Sequence, residues 1–201
     1  MRVVVGLGNP GPEYSGTRHN AGFWFVERLA SACGVRLRSE SRFQSMVGRI
    51  AGGNEECWLL MPQTYMNASG RAVGALVRFY KIAPKGILVV HDELDLPPGT
   101  PKLKRGGGVS GHNGLKDVAA NLGTHDFWRL RLGIGHPGDR AAVVDYVLHP
   151  PRRDERELID ASIEKGLAVW PLVARDDLEA AMLKLHTKPK SASDPNPENL
   201  S

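Results

Sequence analysis

His19 and Asp92 are the two side chains whose types and settings fit general-base chemistry best. His19 lies in Thr17-Arg18-His19-Asn20-Ala21-Gly22, a polar stretch that enters a helical pattern rather than an apolar face. Asp92 follows the apolar run Ile87-Leu88-Val89-Val90 and His91, so it belongs at the carboxyl end of a core strand. A carboxylate that meets an imidazole fixes its tautomer and stabilises its protonated ring, which a histidine general base requires. No serine or cysteine stands in an elbow motif, so water is the expected nucleophile. Three asparagines add neutral donors and acceptors: Asn9 after the first strand, Asn67 in Pro62-Gln63-Thr64-Tyr65-Met66-Asn67, and Asn113 in Gly111-His112-Asn113-Gly114. Singly, Asn67 and Asn113 read as helix caps. Converging on one site, the three would bind a carbonyl and stabilise an oxyanion.

For His19 to reach Asp92, the strands that precede them must be neighbours. The pattern predicts strands over 2–7, 43–51, 56–61, 86–91, 102–104 and 128–134, with helices over 20–32, 69–80 and 113–122. Helices dominate from 140 to 185. This alternation predicts an α/β fold, a single-domain three-layer sandwich in which helices flank a mixed, mostly parallel twisted sheet. Ligands of such sheets bind beyond the carboxyl ends of the strands, where His19 and Asp92 are expected. Gly6-Leu7-Gly8-Asn9-Pro10-Gly11 also matches a dinucleotide-binding turn. Pro10, Pro12 and Gly16 delay the helix, however, so no helix N-terminus is expected beside the glycines to hold a pyrophosphate.

The 201 residues, 41% hydrophobic and 24% charged, suit one globular domain, expected over 1–186. The segment 187–201, with three prolines and no aromatic residue, reads as a disordered tail. No secretory leader or membrane-length apolar run is evident, and a cytoplasmic monomer is expected. Cys33 and Cys57 suggest neither a disulfide framework nor a zinc site, and both are expected to be buried and inert. The remaining histidines have no metal-ligand spacing, so no metal and no cofactor are expected. The net charge of +4 is accounted for by residues 100–140, with seven basic side chains against three acidic ones. Such a field suits nucleic acid or a solvated face. The glycine-rich run at 106–111 would wrap a phosphate or form a mobile loop.

Together, Gly6 to Gly11, Thr17 to Gly22, Pro62 to Asn67, His91-Asp92-Glu93-Leu94-Asp95-Leu96-Pro97, Gly111 to Leu115 and Arg131-Leu132-Gly133-Ile134-Gly135-His136-Pro137 resemble the bacterial-type peptidyl-tRNA hydrolases. The resemblance implies hydrolysis of the ester between a peptide, or N-blocked aminoacyl group, and the 3′ ribose of tRNA, recycling tRNA from prematurely released peptidyl-tRNA. It implies that His19 activates water, that Asp92 holds it in the basic form, and that Asn9 discriminates blocked from free amino termini. Tyr14, Tyr65, Met66, Asn67, His112 and Asn113 would bind the peptide. Lys102, Lys104 and Arg131 would hold phosphates of the acceptor end near the CCA terminus. Val109-Ser110 departs from the family's usual glycine loop. Two rival readings are a non-catalytic RNA-binding module and a nucleotide-dependent oxidoreductase.

Overall fold

The computed structural model describes residues 1–51, 56–109 and 111–187. The expected tail from Lys188 onward and Ser110 of the glycine loop lie outside these residues. Among the described residues, seven strands make one sheet: β1 (Val3–Gly6), β2 (Arg38–Glu40), β3 (Ser45–Ile50), β4 (Cys57–Pro62), β5 (Ile87–Glu93), β6 (Pro101–Arg105) and β7 (Trp128–Gly133). Their spatial order is β2-β3-β4-β1-β5-β7-β6. The four central strands are parallel, and antiparallel pairing adds β3 and β2 at one edge and β6 at the other. The mixed, mostly parallel sheet expected from the alternation is therefore present.

Val3, Val4 and Val5 of the central strand are all fully buried. Helices cover both faces of the sheet, and a strand buried on both sides carries an unbroken apolar run. On one face, α1 (Ala21–Ala32) and α5 (Arg153–Ala168) pack Phe25, Leu29, Ile159 and Ile163 over Val4, Leu88 and Val90. On the other, α2 (Ser69–Phe79) and α3 (Asn113–Leu122) pack Val73, Leu76, Leu115 and Val118 over Val3, Val5 and Val89. The short helices α4 (Val143–Val147) and α6 (Trp170–Ala174) and the helix α7 (Leu178–His186) complete the first layer.

Two glycines set the distance between α1 and the sheet. A Cβ on Gly22 would meet the backbone of Leu7 and Val90, and one on Gly6 would meet the Gly22 carbonyl carbon at 2.8 Å. Backbone cannot yield as a side-chain tip does, so the helix sits directly on β1 and β5 because both positions lack side chains. Gly6 and Gly8 of the dinucleotide-like turn thus serve helix packing, a Cβ on Gly8 meeting the Phe23 ring of α1. After Gly8 the chain runs through turns, and the next helical residue is Arg18, so no helix N-terminus lies beside those glycines.

Among the strands and cysteines, the structure departs from the sequence-based expectation at the end of β5, at β2 and at Cys33. β5 continues through Asp92 to Glu93, because β7 pairs with it as far as Gly133, so Asp92 lies inside the strand rather than after it. β2 was not expected: its three residues are all exposed and have no hydrophobic alternation. Cys33 is half-buried rather than buried. Cys57 is buried, and burial pushes its thiol pKa up to about 12.

Candidate active site

The parallel register places Gly6 beside Val90, so the carboxyl ends of β1 and β5 open on the same side. From β1 the chain leads through Asn9 and a turn to the 3-10 helix Arg18–Asn20, which carries His19 and runs directly into α1. Arg18 anchors this turn. Its Nη1 donates to the carbonyls of Tyr146, His149 and Pro150, and its Nη2 pairs with Glu155 at 2.7 Å.

His19 Nδ1 lies 3.0 and 3.1 Å from the two carboxylate oxygens of Asp92. A carboxylate only accepts, so Nδ1 carries a proton, and in the neutral ring Nε2 keeps its lone pair. Asp92 also accepts from a second imidazole, His112 Nε2, at 3.0 Å. The His112 tautomer follows from its other side, where Nδ1 accepts from the Leu115 N–H at 3.3 Å. His112 is therefore the N-cap of α3, the place expected for Asn113, which instead is the first helical residue. His91 packs edge-on against His112, with ring centroids 5.0 Å apart, and its Nδ1 donates to the Asp92 carbonyl.

Burial opposes a charge on His19, but the Asp92 charge and hydrogen bond outweigh it and raise the imidazole pKa above its ordinary value. Burial alone would raise the Asp92 pKa, yet His19 and His112 hold this carboxyl well below the usual range. His91 is fully buried, and burial pushes its pKa down to about 3, so it stays neutral.

Asn9 is tied to Asn20, the residue after His19, and is held from two sides. Asn20 clamps its backbone, accepting from the Asn9 N–H at 2.9 Å and donating to its carbonyl at 3.0 Å. The Asn9 Oδ1 accepts from the Met66 N–H at 2.8 Å. Its Nδ2 is thereby left as a donor with no partner among the described residues, which suits a substrate carbonyl. The Asn20 clamp was missed in the sequence, although Asn20 adjoins His19.

The protein-family model for peptidyl-tRNA hydrolase matches residues 3–193. The chain is 61% identical over 191 residues to the peptidyl-tRNA hydrolase of Nitrosospira multiformis, covering 95% of this chain and all of that one. It is 63% identical to that of an Azoarcus species, covering 94% of this chain and 85% of the relative. The chain belongs to the peptidyl-tRNA hydrolase family. A crystal structure of the peptidyl-tRNA hydrolase from Acinetobacter baumannii superimposes with a TM-score of 0.91 at 43% identity, covering 95% of this chain and 97% of that one.

The other residues that resemble the hydrolase family's motifs fall into two groups. Tyr14 and Tyr65 meet edge to face, with centroids 6.5 Å apart, and Tyr65 is 62% exposed. Met66 is buried, and its sulfur lies against Gly114. The 3-10 helix Met66–Ala68 packs on α3, which places Asn67 and Asn113 on adjoining elements, both exposed. Neither makes a side-chain cap: the N-cap of α2 is Ala68.

The second group is basic. The rung His91–Arg131–Lys102 crosses β5, β7 and β6, and Arg129 pairs with Lys104 two residues along. Directly paired residues share a face, so Lys102, Lys104, Arg129 and Arg131 form one basic patch, with strands about 5 Å apart. Lys102 and Lys104 are exposed. Arg131 gives its Nε to Glu93 at 2.7 Å, leaving its terminal nitrogens for other partners. Arg129 is buried, and its guanidinium holds the glycine loop.

Proposed function

We propose that this chain hydrolyses the ester joining a peptide, or an N-blocked aminoacyl group, to the 3′ ribose of tRNA, and that His19 activates the attacking water. The observation that carries this reading is the His19–Asp92 pair, which leaves Nε2 of a half-buried imidazole as an unprotonated base. His19 takes the proton as water adds to the ester carbonyl. The Asn9 Nδ2, aimed by the Met66 and Asn20 contacts, donates to the developing oxyanion. The tetrahedral intermediate then collapses and expels the 3′ oxygen, which receives a proton from the imidazolium. Tyr14, Tyr65, Met66, Asn67, His112 and Asn113 border the peptide side.

Lys102, Lys104 and Arg131 hold acceptor-end phosphates. Such contacts supply affinity without sequence information, so one enzyme serves many tRNAs. The reaction needs no metal or cofactor. The donor atoms of His19, Asp92 and His112 lie within 4.8 Å of one another, a spacing that two ring N–H groups bonded to one carboxylate account for. The hydrolase domain is residues 1–186, acting as a cytoplasmic monomer. Among the described residues, no helix is long and apolar enough to cross a membrane.

The test compares N-acetylaminoacyl-tRNA with its unblocked counterpart in excess chelator, with His19→Ala alongside. Rapid, chelator-resistant cleavage of the blocked ester alone, lost in the variant, is expected. Loss of activity in chelator would put a metal on the His19–Asp92–His112 cluster, and binding without turnover would leave an RNA-binding module.

A further inference from the structure

Arg129 is 4% exposed and has no carboxylate at ion-pair distance among the described residues. Two backbone carbonyls solvate it instead. Its Nη1 donates to the Gly108 carbonyl at 2.7 Å, and its Nη2 donates to the Gly106 carbonyl. The loop closes directly over the guanidinium: a Cβ on Gly107 would meet Arg129 Nη2 at 2.9 Å and Lys104 Nζ at 3.1 Å. Gly106 and Gly107 adopt φ values of +63° and +90°, open to glycine at little cost. Further along, the Val109 carbonyl accepts from the His112 N–H at 3.3 Å. His112 is the second donor to Asp92. One contiguous path thus runs from Lys104 through the loop and the Arg129 fork to the carboxylate that orients His19.

We propose that Arg129 is a positioning residue that couples tRNA engagement at Lys104 to the alignment of His112 and Asp92, by clamping the 106–109 loop between them. The proposal rests on the reading of the basic patch as the tRNA face. The clamp depends on a planar fork that serves two carbonyls at once, which a lysine ammonium cannot reproduce although it keeps the charge. An arginine that merely touched phosphate would behave differently, because lysine would largely replace it and its loss would appear in KM.

The experiment measures steady-state hydrolysis of N-acetylaminoacyl-tRNA by the wild type, Arg129→Lys, Arg129→Gln and Lys104→Ala, with thermal melts for each. The same ester on a terminal adenosine alone, which carries no acceptor-stem phosphates, serves as the second substrate. A misaligned catalytic group costs on the order of tenfold to a hundredfold, so Arg129→Lys should lower kcat on the full substrate by about that factor with KM little changed. Its deficit should shrink on the adenosine ester, where there is no engagement to transmit. Lys104→Ala should raise KM. If Arg129→Gln does not fold, Arg129→Lys carries the test. Wild-type kcat in Arg129→Lys, an effect confined to KM, or equal deficits on both substrates would each overturn the coupling. An unchanged KM in Lys104→Ala would instead overturn the placement of tRNA on this face, and the coupling with it.

Discussion

Replacing Asp92 by asparagine tests the site because the substitution keeps the shape and removes the one property the geometry uses. The carboxylate accepts from His19 Nδ1 and from His112 Nε2. Both rings donate to Oδ1 at 3.0 Å, and Oδ2 faces His19 alone at 3.1 Å, so an asparagine that keeps its oxygen at Oδ1 turns its donating amide toward His19 Nδ1. His112 cannot reverse its tautomer, because its Nδ1 already accepts the Leu115 N–H. With the oxygen held at Oδ1 by His112, the amide at the Oδ2 place donates toward His19 Nδ1 and favours the tautomer with its proton on Nε2, the atom that must receive a proton from water. The wrong tautomer of a catalytic histidine costs about 10⁴ in the serine-protease case, and general-base loss costs about 10² to 10⁴. At about 1.4 kcal/mol per decade this is roughly 3 to 5 kcal/mol of barrier. The acid limb should also move. Asp92 raises the His19 pKa against the opposing effect of burial, so removing its charge should send the midpoint down. Single-turnover hydrolysis from pH 5 to 8.5 reads both effects. A plateau rate close to the wild type, or a midpoint that moves up, would refute the assignment of His19 as an Asp92-oriented base.

Three further outcomes follow from the contacts. Asn9→Asp keeps the acceptor for the Met66 N–H but removes the Nδ2 donor, so kcat should fall by about 10² to 10³ in rapid-quench assays. Gly22→Ala places a methyl group against the backbone of Leu7 and Val90 and should cost about 1 to 3 kcal/mol, read as a lower urea midpoint. An unshifted midpoint would contradict the close helix–strand approach. His91 has a folded pKa of about 3, below its unfolded value of about 6.5, so only the unfolded chain takes up this proton between those limits. Its contribution to stability is therefore complete above about pH 6.5 and declines as pH falls toward 3, by up to roughly 1.4 kcal/mol per unit. Urea titrations from pH 4 to 7 should find His91→Asn less acid-sensitive than the wild type; equal slopes would show that His91 is not held neutral.

The strand runs around Val4 and Leu88 and the apolar periodicity of α1, α2 and α3 were legible because burial on a defined face imposes a repeat. The His19–Asp92 pair was legible for a related reason: His19 comes after one buried apolar run and Asp92 closes another, and parallel neighbours open on one side. What escaped depended on side-chain contacts between distant segments. Nothing local marks His112 as both the cap of α3 and a donor to Asp92, because each role is defined by a partner elsewhere in the chain. Arg129 was visible only as one of seven basic residues, since its burial requires the loop carbonyls to turn inward. β2 has no repeat to read, and its pairing with β3 alone makes it a strand.

The register of β5 also bears on how such a chain can diverge. His91 and Asp92 are neighbours on a pleated strand and point to opposite faces, so one residue inserted between Ile87 and Val90 would present an imidazole where the carboxylate belongs. A change in length there exchanges the chemistry of the two faces rather than weakening it by degrees. Lineages of this fold are therefore free to alter length in turns far from the strand ends, whereas the spacing from Ile87 to Asp92 should be inherited as a fixed count.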